Sequence, residues 1–308
     1  GAMMAPSMAG TQTLVYHAGA LGDFITALPV LRVWRREHRG TRITLLGRPG
    51  HGILANASGY IDDLWDLDAA RHASLFDPAA DAGDLRALAH FDTALIFAAE
   101  DSPLLGNLAR AGVSRILHQP PFPAQREHVV DYHLSMLPPN HVTGADRIPV
   151  LSFHPAEQRP RASRIAVIHP GSGSQEKNWP IERFAALATA CAARGLEVTW
   201  LLGEAEGNIH IPPGDRAARM PPLTEVARLL SRAAVYVGND SGITHLAAAV
   251  GCPTVAIFGP TDPAVWAPRG PHVIVMTASR TRWVTTDRVL AAVAAAVEGR
   301  RPFATGPP

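Results

Sequence analysis

Short apolar runs alternate along this chain with longer segments in which apolar residues recur every three or four positions. In the first half the apolar runs predict strands at Thr13–Ala18, Arg42–Leu46, Leu64–Leu67, Thr93–Ala98 and Arg115–His118. The segments between them predict helices, among them Gly22–Arg36, Asp84–His90 and Glu127–Leu137. Strands and helices that alternate in this way form a parallel sheet with helices on both faces.

The same pattern restarts after a proline-rich stretch, and Arg159–Ser163 has the composition of a linker. Beyond it, strands are predicted at Ile165–His169, Glu197–Leu202, Val235–Val237 and Thr254–Phe258. Helices are predicted at 180–194, Thr224–Arg232 and Ser241–Val250. Gly195 and Gly251 directly follow two of these helices, where glycine commonly ends a helix.

We therefore expect an α/β protein with two Rossmann-like parallel-sheet domains facing a cleft, residues 1–158 and 159–308. This division allows the last helix of the chain to pack on the first domain. Ligands of such folds bind at the carboxyl ends of the strands, so the loops that follow the strands are the candidate site.

Composition narrows the class of protein. Of the 308 residues, 47% are hydrophobic and 18% are charged, which fits a soluble globular protein. The net charge is only +1, so the protein as a whole has no strong positive potential that would attract nucleic acid. The two cysteines have neither metal-ligand spacing nor a disulfide pattern. Without a signal-peptide or membrane-span pattern, we expect a cytoplasmic protein, with peripheral contact at the inner membrane left open.

Lys177 is the one lysine of the chain, whereas the other 27 cationic side chains are arginine. It lies in the Gly/Ser-rich loop His169–Pro180, between a predicted strand and a predicted helix. Small residues, the Ser172 hydroxyl and a helix N-terminus can together hold a phosphate, and a compact ammonium suits a narrow pocket. A tight turn without a ligand is the alternative interpretation.

A second loop of this kind is Asn239–His245. Asp240 and Ser241 are good helix N-caps, which would be a purely structural role. Gly242 permits close approach of a ligand, and His245 could reach the same anion or be a buried structural histidine. Two helix N-termini in one domain fit a diphosphate better than one.

The first half carries a matching loop, in which Gly19 and Gly22 open the turn between strand and helix and Asp23 follows. A carboxylate would repel a diphosphate, so Asp23 suits proton abstraction, or alternatively complements the helix dipole. Glu204 and Glu206 follow a strand of the second half, where a carboxylate can bind ribose hydroxyls or remain solvated.

Taken together, these loops resemble glycosyltransferase family 9, the ADP-heptose:lipopolysaccharide heptosyltransferases. The resemblance is carried by five segments in matching order and spacing: Gly19–Asp23, Ile168–Pro180, Leu202–Glu206, Leu223–Val226 and Val237–Pro263. It implies a GT-B architecture and an inverting, metal-independent transferase without a cofactor. Its first domain would bind the acceptor and its second domain the nucleotide sugar.

The resemblance also implies roles for individual residues. Asp23 would be the general base on the acceptor hydroxyl, with Gly19 and Gly22 in the acceptor-side loop. Donor binding would fall to Ser172 and Lys177 at the diphosphate, Glu204 or Glu206 at the ribose, Leu223 and Thr224 beside the adenine, and Asp240, Ser241, Gly242 and His245 around the phosphates and sugar.

The expected function is transfer of a sugar, with heptose favoured, from an ADP-sugar to a hydroxyl of a glycan or lipid-linked, lipopolysaccharide-type acceptor. Two alternatives stay open: a nucleotide-sugar-binding protein without turnover, and a GT-B relative that uses UDP-sugars, such as an epimerase. No nucleic acid partner is expected. Acceptor identity, linkage and oligomeric state are left open by the sequence.

Overall fold

The computed structural model describes residues 10–152, 163–206, 209–279 and 282–299. The chain divides into two compact units. The first comprises residues 1–18, 30–122 and 136–142, and the second comprises residues 19–29, 123–135 and 143–308. The predicted linker lies outside the described residues except for Ser163.

The first sheet is parallel throughout, with the strand order β3-β2-β1-β4-β5. Its strands are β1 (Gln12–His17), β2 (Arg42–Gly47), β3 (Asp63–Asp66), β4 (Thr93–Phe97) and β5 (Arg115–Gln119). The helices of this part of the sequence are α1 (Leu21–Glu37), α2 (Pro49–Ala57), α3 (Pro103–Arg110) and α4 (Val129–Leu134).

The second sheet has the order β11-β10-β9-β6-β7-β8, the doubly wound order of dinucleotide-binding folds. Its strands are β6 (Ile165–His169), β7 (Glu197–Leu202), β8 (Arg216–Arg219), β9 (Val235–Asn239), β10 (Thr254–Phe258) and β11 (Val273–Thr277). Its helices are α5 (Ile181–Ala193), α6 (Leu223–Arg232), α7 (Gly242–Ala249), α8 (Pro263–Trp266) and α9 (Thr286–Val297).

The core of the second sheet explains why these segments fold as they do. β9 and β10 are buried along their whole length, as near-continuous apolar runs in a covered parallel sheet should be. Trp179, Trp200 and Phe184 of α5 belong to one buried apolar cluster on the face of the sheet that α5 and α9 cover. The strand order reverses between β6 and β9, so the loops that follow these two strands lie side by side.

Most predicted strands are found within a residue or two, and two parallel sheets are confirmed. The predicted helix Asp84–His90 is wrong: only a 3-10 turn forms at Arg86–Leu88. The buried residues Leu85 and Leu88, and Phe91 just beyond the predicted helix, are spaced three apart, which suits a 3-10 rather than an α-helical repeat. Helix α4 is also shorter than predicted, ending at Leu134 before a Pro-Pro pair.

Helix α9 packs against α5 and against β9, β10 and β11. The described part of the last helix therefore packs on the second sheet. Residues 300–308 lie outside the described residues. Within the described residues, no helix is both long and apolar enough to cross a membrane.

Candidate functional site

The loop between β6 and α5 is shaped by its own polar side chains. The Ser172 hydroxyl lies 2.6 Å from Asn178 Oδ1 and 2.6 Å from the Ser174 carbonyl, and it accepts from Ser174 N at 3.2 Å. A 3-10 turn, Gln175–Lys177, carries the lysine. Ser172 therefore fixes the loop from within, and its hydroxyl hydrogen is already used there.

Asn239 joins this loop to the end of β9. It is fully buried, its Oδ1 accepts from Trp179 N at 2.8 Å, and its Nδ2 donates to the Pro170 carbonyl at 2.8 Å. Both ends of the loop are thus held by one side chain. The sequence offered one signal for this role: an amide at the end of an apolar strand, directly before Asp240.

The loop after β9 ends in a capped helix. Ser241 is the N-cap of α7 and accepts from Thr244 N at 3.4 Å, while Thr244 Oγ1 donates to the Asn239 carbonyl at 2.5 Å. Gly242 is required by close packing. A Cβ there would lie 2.9 Å from Leu21 Cβ and 3.0 Å from Gly22 N.

The start of α1 therefore packs directly on the start of α7, inside the second unit. A Cβ on Gly22 would meet the His245 ring at 3.3 Å, so glycine is also favoured on this side. Gly19 lies at the turn that precedes α1. The contact brings Asp23 to the loops of the second sheet.

A charged group forms where these loops meet. Lys177 Nζ lies 3.0 Å from Asp240 Oδ2, and the exposed fractions of the two side chains are 35% and 8%. Asp23 is half-buried, and burial raises its pKa. A hydrogen bond from Ala20 N and the charge of Lys177 oppose that rise, whereas Asp240 adds to it. One lysine thus acts on two carboxylates.

Two histidines beside this group are neutral near pH 7. Burial lowers the pKa of His169 to about 4. Burial also lowers the pKa of His245 to about 4; Asp240 and a hydrogen bond with the Trp266 backbone oppose that change, while His128 and Lys177 add to it. His245 can therefore offer a neutral ring, but not a cation, to a neighbouring group.

The two candidate ribose ligands differ sharply. Glu206 is buried, its Oε2 accepts from Gly203 N at 2.8 Å, and a Cβ on Gly171 would lie 2.5 Å from its Oε1. Glu204 is exposed. Glu206 thus borders the first loop, at the carboxyl end of β7.

Leu223 and Thr224 form the half-buried first turn of α6. Among the described residues, the contacts that join Asp23, Lys177 and Asp240 involve neither of them. Met220, which the sequence did not single out, lies just after β8 with a φ of +47° and a side chain that is 64% exposed. A non-glycine residue in the left-handed region is uncommon and often marks a functional loop.

The assembled residues can hold an anion and accept a proton. Lys177 and the N-terminus of α7 supply positive charge and backbone donors. Asp23 supplies a carboxylate whose pKa is shifted toward the working range of a general base. No group of three or more potential metal ligands occurs among the residues that the structure describes.

Comparison with known proteins supports the resemblance to a known family. The model of Glycosyltransferase family 9 (heptosyltransferase) matches residues 144–291. Lipopolysaccharide heptosyltransferase 3 of Escherichia coli is 28% identical over 183 residues, 53% of this chain and 54% of the relative. The matched segment therefore spans about half the length of that curated relative.

Solved structures match over nearly the whole chain. A glycosyl transferase family 9 protein from Veillonella parvula has a TM-score of 0.76 at 18% identity, covering 94% of this chain and 97% of its own. The E. coli heptosyltransferase WaaC with ADP has a TM-score of 0.69 at 18% identity, covering 93% and 100%. These similarities confirm the GT-B fold class with two parallel-sheet domains. The sequence matches, which are confined to about half of the chain, make it similar to the proteins of glycosyltransferase family 9.

Proposed function

We propose that this protein is an inverting glycosyltransferase that moves heptose from ADP-heptose to a hydroxyl of a lipopolysaccharide-type acceptor. The observation that carries the proposal is the charged group in which Lys177 pairs with buried Asp240 beside Asp23. The family-model match supports it, as does the similarity to a lipopolysaccharide heptosyltransferase and to a heptosyltransferase with ADP.

The donor diphosphate would lie between the loops that follow β6 and β9. Lys177 Nζ and the backbone N–H groups at the start of α7 would bind its oxygens, with Ser241 and Gly242 at the helix end. Asn239 and Ser172 would act indirectly, by fixing the loops. His245, neutral and buried, would border the sugar.

The nucleoside would extend toward β7 and β8. We assign the ribose to Glu206, because its carboxylate is fixed beside Gly171 and Gly203 whereas Glu204 faces solvent. Leu223 and Thr224, at the start of α6, would flank the adenine.

The reaction would proceed by a single displacement. Asp23 accepts the proton of the acceptor hydroxyl while that oxygen bonds to the anomeric carbon from the face opposite the ADP. The bond from the anomeric carbon to the diphosphate oxygen breaks, and ADP leaves with its electron pair. Lys177 and the α7 N-terminus stabilise the charge that develops on ADP, which is the largest catalytic contribution that a fixed site can make.

A lipid-linked acceptor would bring the enzyme to the cytoplasmic face of the inner membrane as a peripheral protein. Flotation with vesicles that contain such an acceptor tests this location. Binding to acceptor-containing vesicles but not to plain ones is the expected result, and equal binding to both would contradict it.

Nucleotide binding tests the donor assignment. ADP and ADP-heptose should raise the melting temperature more than UDP, GDP or NAD, and a ligand at a hundred times its Kd adds about 2.7 kcal/mol of stability. Lys177→Ala should weaken ADP binding. Lys177→Arg should retain only part of the wild-type affinity, because the planar guanidinium group of arginine does not replace the compact ammonium group of lysine. Arg216→Ala, at an exposed position on β8, is the matched control. Stronger stabilisation by UDP-sugars would overturn the assignment.

Turnover tests the rest of the proposal. Incubation with ADP-heptose and a heptose-deficient lipopolysaccharide should release ADP and add one heptose mass to the acceptor. Tight ADP binding without transfer to any such acceptor would instead indicate a binding protein.

A further inference from the structure

A cavity outside the proposed donor site lies beyond the carboxyl ends of β10 and β11. Its volume is about 540 Å³, which falls in the range of small-molecule sites. It is lined by Glu176, Gly259, Pro260, Ser279, Arg282 and Trp283. All of these residues belong to the second unit.

The wall that carries the tryptophan is fixed by hydrogen bonds. Trp179 Nε1 donates to the Val284 carbonyl at 2.9 Å, and Arg183 Nη1 donates to the same oxygen at 2.7 Å. Arg183 also reaches the Trp283 carbonyl at 3.3 Å. The backbone beside the cavity is thus tied to α5 and to the last residues of the Lys177 loop.

Gly259 is needed for the ring to lie where it does. A Cβ at this position would collide with the six-membered ring of Trp283. Gly259 is part of the segment Val237–Pro263, which helps to carry the family resemblance, yet the proposed donor site does not use this glycine. The glycine and the tethered tryptophan indicate a constructed wall rather than a chance depression.

The lining has the chemistry of a sugar site. An aromatic ring offers an apolar face, Arg282 offers donors and Glu176 offers acceptors. The Ser279 hydroxyl donates to the Arg282 carbonyl at 3.3 Å and can still accept a hydrogen bond. Glu176 and Arg282 form no ion pair with any other described residue, although both are charged. The described lining thus carries one side chain of each sign, and the hydroxyl groups of a neutral ring can donate to Glu176 and accept from Arg282.

We propose that this cavity binds a neutral pyranose unit of the acceptor glycan, stacked on Trp283 and held by Arg282 and Glu176. Glu176 directly precedes Lys177, so the sugar subsite and the proposed diphosphate site share one loop. The assignment to an acceptor rests on the proposed function. The binding of a neutral sugar does not.

NMR titration of the full chain with glucose, galactose and mannose, following the tryptophan indole N–H resonances of the protein, tests the proposal, with glucuronate as the acidic comparison. At least one neutral sugar should bind saturably and shift the Trp283 indole resonance, which Trp283→Phe identifies by its disappearance. Arg282→Ala and Glu176→Gln should each weaken that sugar's binding about tenfold, the usual cost of losing a hydrogen bond to a charged group. Glucuronate should bind more weakly than the neutral sugar.

Two matched substitutions at exposed positions, Arg216→Ala and Glu225→Gln, should leave sugar binding unchanged. ADP affinity, measured on the same samples, should stay within about twofold in every variant because no proposed ADP ligand is altered. The inference would be overturned if no neutral sugar bound saturably. It would also be overturned if a sugar bound saturably with the same affinity in Arg282→Ala and Glu176→Gln as in the unaltered protein. If the unaltered protein did not bind ADP, the proposed donor site would be wrong instead. Failure of the sugar site and failure of the donor site are therefore distinguishable.

Discussion

The two sheets share the order of five strands, and one buried polar group in each of them makes an instructive comparison. In the first unit a buried group lies near the amino ends of the strands, where Trp34 Nε1 donates to Thr13 Oγ1 at 3.1 Å and Thr13 contacts Thr41 at 3.1 Å. In the second unit Asn239 and Asp240 lie at the carboxyl end of β9. Buried hydrogen bonds at an amino end stabilise a sheet, whereas those at a carboxyl end can also shape a ligand site.

The difference teaches that two similar frames are distinguished by a few polar side chains. Asn239 holds both ends of the Lys177 loop, and its neighbour Asp240 pairs with that lysine. The family match, residues 144–291, likewise falls on the second unit.

The largest effect is expected at Asp23. Asp23→Asn is nearly isosteric and keeps an acceptor for Ala20 N, so the fold and ADP affinity should persist. Transfer should fall by about 10²–10⁴-fold, because the amide cannot take the proton. Initial transfer rates, ADP titration and melting temperature on this variant provide the measurement. Normal turnover would remove Asp23 from the mechanism and leave it as a helix-terminal carboxylate.

The pH dependence of transfer adds a second readout. Burial raises the pKa of Asp23, and the base acts only when deprotonated. The ratio kcat/KM should therefore decline as pH falls through that raised pKa, at a higher pH than for an unperturbed aspartate. A flat profile down to the pKa of an ordinary aspartate would contradict this.

Acid should unfold the second unit before the first. The pKa values of His133, His169 and His245, all in the second unit, are lowered to about 4 by burial, whereas among the described residues of the first unit only His51 is lowered to about 4. The unfolded chain takes up these protons near pH 6.5, so stability is complete above that pH and is lost as pH falls toward 4. Each shift corresponds to at most roughly 3 kcal/mol.

Hydrogen exchange at pH 7 and pH 5 measures this difference. Protection should drop in β6, β9 and α7 at pH 5, with a smaller change in β1 and β4. Equal loss in both sheets would show that the histidines do not set the order of unfolding.

Asn239 should matter for both stability and binding. Asn239→Ala leaves Trp179 N and the Pro170 carbonyl without their partner, at about 1–3 kcal/mol for each buried group. Thr13→Val is the matched change in the first sheet. Both variants should have a lower melting temperature, but only Asn239→Ala should also weaken ADP binding. Equal ADP affinity in the two variants would show that Asn239 has no role in shaping the site.

The smallest effect separates the two glutamates. Glu206→Gln keeps an acceptor for Gly203 N but should weaken ADP binding about tenfold through the ribose contact. Glu204→Gln, at an exposed position, should leave ADP affinity unchanged. Titration of both variants with ADP distinguishes the two assignments. Weaker ADP binding in Glu204→Gln, with unchanged affinity in Glu206→Gln, would assign the ribose contact to Glu204.

Much of this architecture could be predicted from the sequence, because buried parallel strands such as Val235–Asn239 are apolar and are followed by polar loops. Strand Arg216–Arg219 was not predicted: it is an edge strand of arginine and alanine with no apolar pattern. The Lys177–Asp240 pair could not be predicted either, since it depends on β6 lying beside β9. The role of Asn239 could not be predicted, because its bonds to Trp179 and Pro170 depend on how the two loops meet and leave no periodic pattern in the sequence.

Hydrogen exchange with and without ADP tests most directly the claim that the second unit holds the donor. Added ADP should protect residues 170–180 and 239–249, together with residues 19–23, which belong to the same unit. The loops after β2 and β4 of the first sheet, residues 48–52 and 98–103, should exchange unchanged. Protection confined to residues 48–52 and 98–103, with 170–180 and 239–249 unaffected, would contradict the account.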